Sequence, residues 1–244
     1  PNLTSGKKSY FHIRGVDNLG NWSDDAAHLG PFPIDTGNPL GVTGLQSTTH
    51  SVGAWNSKQI VRVSWNPAVD NESGLGGYSA VWDTLPGTLP DEIKDIEELV
   101  TDMSSDRLPE GIDYYFHIRS VDNAGNWCDT AAHIGPFRID TTPPTLVGSL
   151  SSTSHQIGIW SSDRTVQLTW VPGTDEMSGL KGYSVLWDSE PDTIPDDTVE
   201  VSSNIETRHA VSLPDGGDHY FHIRSIDNAG NASVGAAHIG PFYI

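Results

Sequence analysis

The sequence predicts an all-β protein built as a tandem array of β-sandwich domains. One segment occurs three times, at residues 10–32, 115–137 and 220–242, and the copies are 105 residues apart. The same offset relates Trp55, Trp65, Gly74, Tyr78 and Trp82 to Trp160, Trp170, Gly179, Tyr183 and Trp187. Short alternating segments are separated by Gly, Pro, Asn and Asp, with 25 Gly and 16 Pro in total, which is typical of strands joined by tight turns.

The period of the repeat divides the chain into domains. A period near 100 residues has the size of a domain and is too long for a solenoid unit. We therefore predict domains at residues 38–142 and 143–244, while residues 1–37 match only the last part of a repeat. The short segment is expected to form a two-strand hairpin whose apolar face, with Phe11, Ile13 and Phe32, must be covered. Either the chain is an excerpt of a longer polypeptide, or the hairpin completes itself against a partner.

The strands of the last repeat follow from its alternating segments. Val166 to Trp170 and Tyr183 to Trp187 alternate between apolar and polar residues, so Trp170, Tyr183 and Trp187 should share one interior. The predicted strands lie near 145–150, 165–170, 182–188, 206–212, 218–226 and 236–243, with a further short strand near 198–202. In the middle repeat, the spacing of Ile93, Ile96, Leu99 and Val100 predicts a short amphipathic helix over residues 91–100.

Bulk composition excludes several classes of function. The formal net charge of −19 repels phosphate backbones, so nucleic acid is not an expected partner. The single Cys128 excludes a framework of intrachain disulfides. No apolar run reaches the roughly 18 residues that a bilayer-spanning helix requires, so no membrane span is expected in this segment.

Several motifs together carry a resemblance to a known family. They are a Trp on the second strand, the pattern D-x-x-S-G-L-x-G-Y-S at residues 70–79 and 175–184, the Y-F-H-I-R and D-N-A-G-N segments, and the D-T-T-P-P junction at residues 140–144. This combination resembles the fibronectin type III-like and bacterial immunoglobulin-like modules of prokaryotic extracellular or cell-surface proteins. The resemblance covers the whole chain and implies tandem immunoglobulin-like sandwiches in an extracellular or cell-surface location. It also implies a role as spacer or adhesive surface.

Oxygen-bearing side chains recur in two loops of each repeat and in the segment before it. In a fibronectin-like strand order, the second-to-third strand loop and the last hairpin loop lie at the pole where the preceding linker enters. Six to eight oxygens in tolerant geometry are what Ca²⁺ accepts, so a calcium site is one interpretation; the alternative is that Asp, Asn and Gly form tight turns without an ion. The candidate ligands are Asp35, Asp70, Glu72, Asp122, Asn123 and Asn126, and then Asp140, Asp175, Glu176, Asp227, Asn228 and Asn231.

A second recurring pattern lies on the strand of the Y-F-H-I-R segment. Strand alternation places Tyr115, His117 and Arg119 on the face opposite to the core, and His133 falls on the neighbouring last strand. A pair of histidines on adjacent strands could bind a transition metal, and a Tyr-His-Arg face could stack on a sugar. We expect instead a solvated sheet face held by cross-strand pairs, because no further metal ligand at zinc-like spacing is present.

These observations predict a non-enzymatic protein. No nucleophile elbow, zinc-protease motif or phosphate loop is present, and a catalytic centre is seldom built once per repeat. We predict a structural, spacer or adhesive segment of an extracellular, cell-surface or filament-forming protein, stiffened by Ca²⁺ at its domain junctions. Its expected partners are neighbouring domains or copies of the same protein. The alternative is a set of carbohydrate-binding accessory modules of a secreted hydrolase, which would bind cell-surface glycans through Trp22, Trp55, Trp127 or Trp160.

Overall fold

A computed structural model describes residues 3–204, 207–209 and 212–244 of the chain, and the described residues form strands and loops without a helix. None of these residues belongs to a helix that could cross a membrane. The fold class predicted from the sequence, all-β, is confirmed. The strands are β1 (Lys7–Ile13), β2 (Ala27–Ile34), β3 (Thr43–Ser47), β4 (Trp55–Asn56), β5 (Arg62–Asn66), β6 (Leu75–Asp83), β7 (Ile96–Glu97), β8 (Asp102–Ser104), β9 (Asp113–Asp122), β10 (Ala132–Ile139), β11 (Gly148–Ser152), β12 (Gln167–Val171), β13 (Leu180–Asp188), β14 (Val201–Ser202), β15 (Thr207–His209), β16 (His219–Asp227) and β17 (Ala237–Phe242).

Contacts group the chain into two compact units. The first comprises Pro1–Thr49, Arg62–Ser105 and Tyr114–Pro136, and the second comprises His50–Val61, Asp106–Asp113 and Phe137–Ile244. The repeat period predicts domains at residues 38–142 and 143–244, and these bounds differ from those of the two units. The predicted domain boundaries stay a prediction.

The first unit contains the predicted hairpin and two sheets. Strands β1 and β2 pair antiparallel, with His12 opposite His28. Strands β3, β5 and β8 form an antiparallel sheet with β5 in the centre. The other sheet contributes the order β10-β9-β6-β7 to this unit, and within it β6 lies between β7 and β9. The last residues of β10 belong to the second unit, where they pair in parallel with β4.

The interior of the first unit contains the predicted tryptophan. Trp65 on β5 is 4% exposed, and its ring centroid lies 5.6 Å from that of Tyr78 and 6.1 Å from that of Phe116. Because inward-facing residues alternate along a strand, Val63 is buried beside it. The prediction that Trp65 is a core residue is confirmed.

The second unit contains a complete sandwich. A three-stranded sheet, β11-β12-β15, faces a four-stranded sheet, β14-β13-β16-β17. The strand alternation that predicted a shared interior is borne out, because Trp170 and Tyr183 are both buried and Trp187 packs against the same core. Two sheets that bury their apolar faces against each other form a β-sandwich, as the sequence predicted. The core residues are Val147, Val166, Leu168, Trp170, Tyr183, Val201, Leu213, Phe221, Ile223, Ile239, Phe242 and Ile244.

The helix predicted over residues 91–100 is wrong. The segment contains a bend, the two-residue strand β7 and a turn, and its Ile96 pairs with Tyr78. The carboxylate of Asp95 accepts hydrogen bonds from the Ala80 N–H at 3.0 Å and from the Ser79 hydroxyl at 3.2 Å. These bonds attach the segment to the edge of β6, and they would be lost in a helix. Backbone pairing with a neighbouring strand therefore outweighs the local helical pattern.

A glycine at the bulge of β13 permits close approach of the next strand. A Cβ at Gly182 would lie 2.3 Å from the carbonyl oxygen of Val201, and the equivalent Gly77 has the same distance to the carbonyl oxygen of Ile96. We expect Gly182→Ala to lower the free energy of unfolding by about 1–3 kcal/mol, because the strands must separate to admit the methyl group. Chemical denaturation measures this change. Gly148→Ala is the control, since its Cβ would make only ordinary contact with Val171 at 3.5 Å; equal losses in both variants would contradict the steric explanation.

Candidate metal centres in two aspartate clusters

Three aspartates of the second unit converge on one point. Asp140 follows β10, Asp175 lies in the loop between β12 and β13, and Asp227 ends β16. One carboxylate oxygen from each lies within 4.8 Å of the others. Asp140 and Asp227 are fully buried, and Asp175 is half-buried. We name this set of three the second aspartate cluster.

The loop before β13 is folded around the carboxylate of Asp175. Its Oδ1 accepts hydrogen bonds from the Met177 N–H at 3.2 Å, the Gly179 N–H at 2.7 Å and the Ser178 hydroxyl at 3.3 Å. The Ser178 N–H donates in turn to Oδ2 of Asp140 at 3.2 Å. The D-x-x-S-G sequence therefore forms an Asp-capped turn that also binds the segment preceding the repeat.

Asn231 fixes the third aspartate. Its backbone N–H donates to Oδ1 of Asp227 at 2.8 Å, and its side-chain amide donates to Oδ2 of Asp227 at 2.7 Å. The same amide donates to the backbone carbonyl of Asp140 at 2.9 Å. The D-N-A-G-N turn thus holds its own aspartate in a fixed orientation and contacts the preceding segment as well.

The second aspartate cluster concentrates negative charge. None of the ion pairs within 4.0 Å found among the described residues includes Asp140, Asp175 or Asp227. Burial, with a contribution from the charge of Asp140, raises the pKa of the Asp227 carboxyl above its usual value, although the hydrogen bonds from Asn231 act in the opposite direction. Carboxylates that converge in a partly buried position suit a divalent cation, which would neutralise their repulsion.

The first unit repeats this geometry. Asp35, Asp70 and Asp122 form a first aspartate cluster with the same 4.8 Å limit, and Asp122 is 3% exposed. Oδ1 of Asp70 accepts from the N–H groups of residues 72, 73 and 74 at 2.8–3.0 Å. The side-chain amide of Asn126 donates to Oδ2 of Asp122 at 2.7 Å and to the carbonyl of Asp35 at 3.4 Å.

Some predicted ligands have other roles. The side-chain amide of Asn123 donates to the carbonyls of Ser73 and Leu75, and that of Asn228 donates to the carbonyls of Ser178 and Gly179. These two amides tie one loop to the other. Glu72 accepts a hydrogen bond from the Ser5 hydroxyl, and Glu176 is exposed. The structure therefore brings together the predicted aspartates, with Asn126 and Asn231 as supports, and places Glu72 beside Asp35. Cation binding and the full set of ligands stay a prediction.

The hairpin holds a third copy of this aspartate, which the sequence reasoning missed. Asp17 is the equivalent of Asp122 and Asp227, and its carboxylate accepts hydrogen bonds from the N–H groups of Leu19 and Asn21 and from the Asn21 amide at 2.8–2.9 Å. The D-N-L-G-N sequence at residues 17–21 and the constant repeat offset carry the signal that could have found it.

In the middle repeat the face predicted to be solvated is buried at two positions, where the prediction is wrong, whereas His133 on the neighbouring strand is exposed and the stripe of the hairpin is exposed as well. His117 is fully buried and Arg119 is 6% exposed. The Arg119 side chain donates to the carbonyls of Pro90 and Cys128, and its guanidinium lies 5.2 Å from the centre of the Trp127 ring. Strand alternation predicts the face of the sheet on which a side chain lies. It does not predict which other segment of the chain covers that face.

The histidines form a short chain of hydrogen bonds. Nδ1 of His117 lies 2.7 Å from Nδ1 of His133, and Nε2 of His117 lies 3.1 Å from Oδ1 of Asp83. In the last repeat, His222 lies 2.7 Å from His238 and 2.9 Å from Asp188. Because the second histidine and the aspartate lie at opposite nitrogens of the buried ring, these groups do not converge on one point, as metal ligands would. The groups of three or more such side chains that converge within the described residues are the two aspartate clusters.

The outer histidines make stability depend on pH. Burial, together with the neighbouring His117, lowers the pKa of His133 below its usual value. Burial and the neighbouring His222 lower the pKa of His238, although the charges of two nearby aspartates act in the opposite direction. The unfolded chain therefore takes up a proton at higher pH than the folded protein does, so these groups cost stability as the pH falls below the unfolded value near 6.5. We expect the melting temperature of His238→Gln to fall less than that of the wild type between neutral pH and about pH 5, measured in the presence of a chelator. Parallel pH profiles would contradict this assignment.

Comparison with known proteins gives a similar solved structure and no sequence family. No protein-family model matches the chain, and no curated protein sequence matches it. The chain is similar to a structure described as the crystal structure of chicken CNTN1 FN1-FN3 domains. The TM-score is 0.46 at 14% sequence identity, and the match covers 96% of this chain and 78% of that chain.

Proposed function

We propose that this chain is a non-enzymatic spacer or adhesive segment of an extracellular, cell-surface or filament-forming protein, and that Ca²⁺ bound at its two aspartate clusters stiffens it. The proposal includes an extracellular location because free Ca²⁺ is available there at the 10⁻⁴–10⁻³ M range in which extracellular modules bind it. Its partners are neighbouring domains or copies of the same protein.

The recurrence of the aspartate cluster is the observation that carries this proposal. Each cluster takes one aspartate from the segment before a repeat, one from the loop before its long strand β6 or β13, and one from the end of β9 or β16. An ion held by all three would fix the entering segment to both loops. Flexibility at that point would fall, because the entering residues would lose the freedom to rotate away from the loops.

Calcium fits these positions better than magnesium does. The candidate ligands are carboxylates at the ends of strands and in loops, and Ca²⁺ accepts oxygen ligands in tolerant geometry. Magnesium requires a near-ideal octahedron and keeps several waters. A divalent ion at each cluster would also reduce the formal net charge of −19, which otherwise opposes a compact state.

Calorimetry and solution scattering test the proposal. Isothermal titration of chelator-treated protein with CaCl₂ is expected to show one ion per cluster, with weaker heat from MgCl₂. Small-angle X-ray scattering is expected to give a narrower distribution of maximum dimensions in CaCl₂ than in EDTA, since stiffer junctions sample fewer orientations. Absence of calcium heat would overturn calcium binding, and calcium heat without a change in scattering would overturn the stiffening role.

One observation favours a carbohydrate-binding role as a second candidate. Trp160 is 67% exposed, and its ring centroid lies 5.1 Å from that of Tyr243. An exposed indole beside a partly buried aromatic ring can stack against a sugar ring. The equivalent pair in the middle repeat is Trp55 with Arg138, whose guanidinium lies 6.0 Å from the indole centre, so the aromatic pair is not repeated.

The carbohydrate role predicts a change in fluorescence. Soluble glycans should quench or shift the emission of Trp160 in the wild type, and Trp160→Ala should remove that response. Trp127 is a matched control because it is partly buried beneath Arg119; the Trp127→Ala variant should retain the response. A wild-type spectrum that does not change over a panel of polysaccharides would remove this candidate.

A further inference from the structure

The apolar face of the hairpin β1-β2 is exposed. Phe11, Ile13 and Phe32 are 55%, 56% and 40% exposed. Their equivalents Phe116, Ile118 and Phe137, and again Phe221, Ile223 and Phe242, are fully buried. These three residue types are identical in all three copies, so at these positions the hairpin differs from the other two in its cover and not in its side chains. The sequence predicted that this face is covered. Among the described residues, it is exposed.

The other two copies show what covers this face. In the second unit, the indole of Trp170 stacks on Phe221 with ring centroids 6.4 Å apart, and Leu168 of the same strand belongs to the same core. In the first unit, Trp65 stacks on Phe116 at 6.1 Å. Both tryptophans come from the earlier part of their repeat, which corresponds to residues 38–105 or 143–210. An alternating strand with a core tryptophan is thus the structure that fits this face.

Two polar features of the hairpin, Asp17 and the His12–His28 pair, lack the aspartate partners that the earlier part of the repeat supplies in the other copies. Asp17 is held as Asp122 and Asp227 are, but the aspartates that complete their clusters come from the entering segment and the loop before β6 or β13. His12 and His28 have the same contact, with their Nδ1 atoms 2.6 Å apart, yet the aspartate that binds the buried ring in the other copies ends β6 or β13. The hairpin therefore lacks the core tryptophan strand, the loop aspartate of its cluster and the aspartate of its histidine chain. Residues 38–105 contain the equivalents of these three, whereas the entering aspartates, Asp35 and Asp140, lie before that segment and its copy.

We propose that the hairpin face is a docking surface for one further segment of this repeat type, with the sequence pattern of residues 38–105, which completes a third sandwich on it. A second copy of the chain does not offer such a segment, because its Trp65 and Trp170 strands already cover their own phenylalanines. This inference concerns the hairpin alone, and it does not depend on Ca²⁺.

A fusion protein tests the proposal. Residue 1 is equivalent to residue 106, so a copy of residues 38–105 can be joined directly in front of the complete chain. We expect amide hydrogen exchange at Phe11, Ile13 and Phe32 to slow by at least about 100-fold relative to the unfused chain, since these amides would become part of a cooperatively folded unit. The experiment is done in EDTA, so that failure of calcium binding cannot produce a negative result.

Two further fusions keep the result decisive. The change Trp65→Asp in the added copy alone should abolish the protection, because the docking indole is then missing. A fusion that carries residues 143–210 in place of 38–105 should restore it. Unchanged exchange in both unmodified fusions would overturn the proposal. So would an unfused chain that forms a dimer in analytical ultracentrifugation with its hairpin amides already protected, since a second copy would then be the occupant.

Discussion

Replacement of Trp170 by alanine is expected to lower the free energy of unfolding of the last repeat by about 3–5 kcal/mol. The side chain is 3% exposed, and its ring lies 5.4 Å from that of Tyr183 and 6.4 Å from that of Phe221. Its removal takes away apolar burial and leaves a cavity between the two sheets. A typical domain is stable by about 5–15 kcal/mol, so this loss would bring the last repeat close to unfolding at room temperature.

Scanning calorimetry and urea denaturation measure this effect. We expect one transition to shift to a lower temperature while the other changes little, because the core of Trp170 lies wholly in the second unit. Trp160→Ala is the matched control, since that indole is 67% exposed and its removal leaves no cavity. A Trp170→Ala protein that melts like the wild type would show that the core and the strand register built on it are wrong.

The second large effect on stability is expected from Asp175→Asn, and its sign depends on whether calcium is present. The hydrogen bonds to Asp175 among the described residues all reach Oδ1, which an asparagine retains, so the turn itself should survive. In EDTA we expect unchanged or slightly higher stability, because one of three repelling carboxylates has been removed. The free energy of unfolding of the wild type should rise by about 2.7 kcal/mol at a calcium concentration of 100 times Kd. The variant should lose most of that gain.

Thermal unfolding with and without calcium distinguishes the two interpretations of the aspartates. Asp70→Asn is the matched variant, since its Oδ1 accepts the same kind of backbone hydrogen bonds in the first cluster. If the aspartates serve only as turn residues, neither the wild type nor the variants will respond to calcium. A wild-type gain that survives in the double variant would place the ion elsewhere.

The sequence predicted those features that depend on repetition and on strand alternation. The offset between copies identified the hairpin, and the alternation around Trp65 and Trp170 identified both core tryptophans. The convergence of Asp140, Asp175 and Asp227 followed from the position of their loops in a fibronectin-like order. The first two features are properties of one segment or one strand, so a linear pattern is enough to predict them, whereas the convergence of the aspartates also required the strand order that the resemblance implies.

The errors concern features that depend on what packs over a segment. The helix expected over residues 91–100 has a helical pattern, but Ile96 finds a strand edge to pair with, and no local pattern records that edge. His117 and Arg119 lie on the strand face that the alternation predicts, but both are buried. In each case the deciding partner is distant in sequence.

The contact between His117 and His133 has a consequence for the position of protons. Asp83 accepts from Nε2 of the buried ring, so that nitrogen carries the hydrogen and Nδ1 of a neutral His117 must accept. Nδ1 of His133, 2.7 Å away, is then the donor, which fixes its tautomer. The Nε2 lone pair of His133, an exposed residue, is left without a proton. The same holds for His238 and its contact with His222. Each of the two later copies of the repeat therefore carries an exposed histidine with an unprotonated Nε2, and the buried histidine sets the tautomer of that ring.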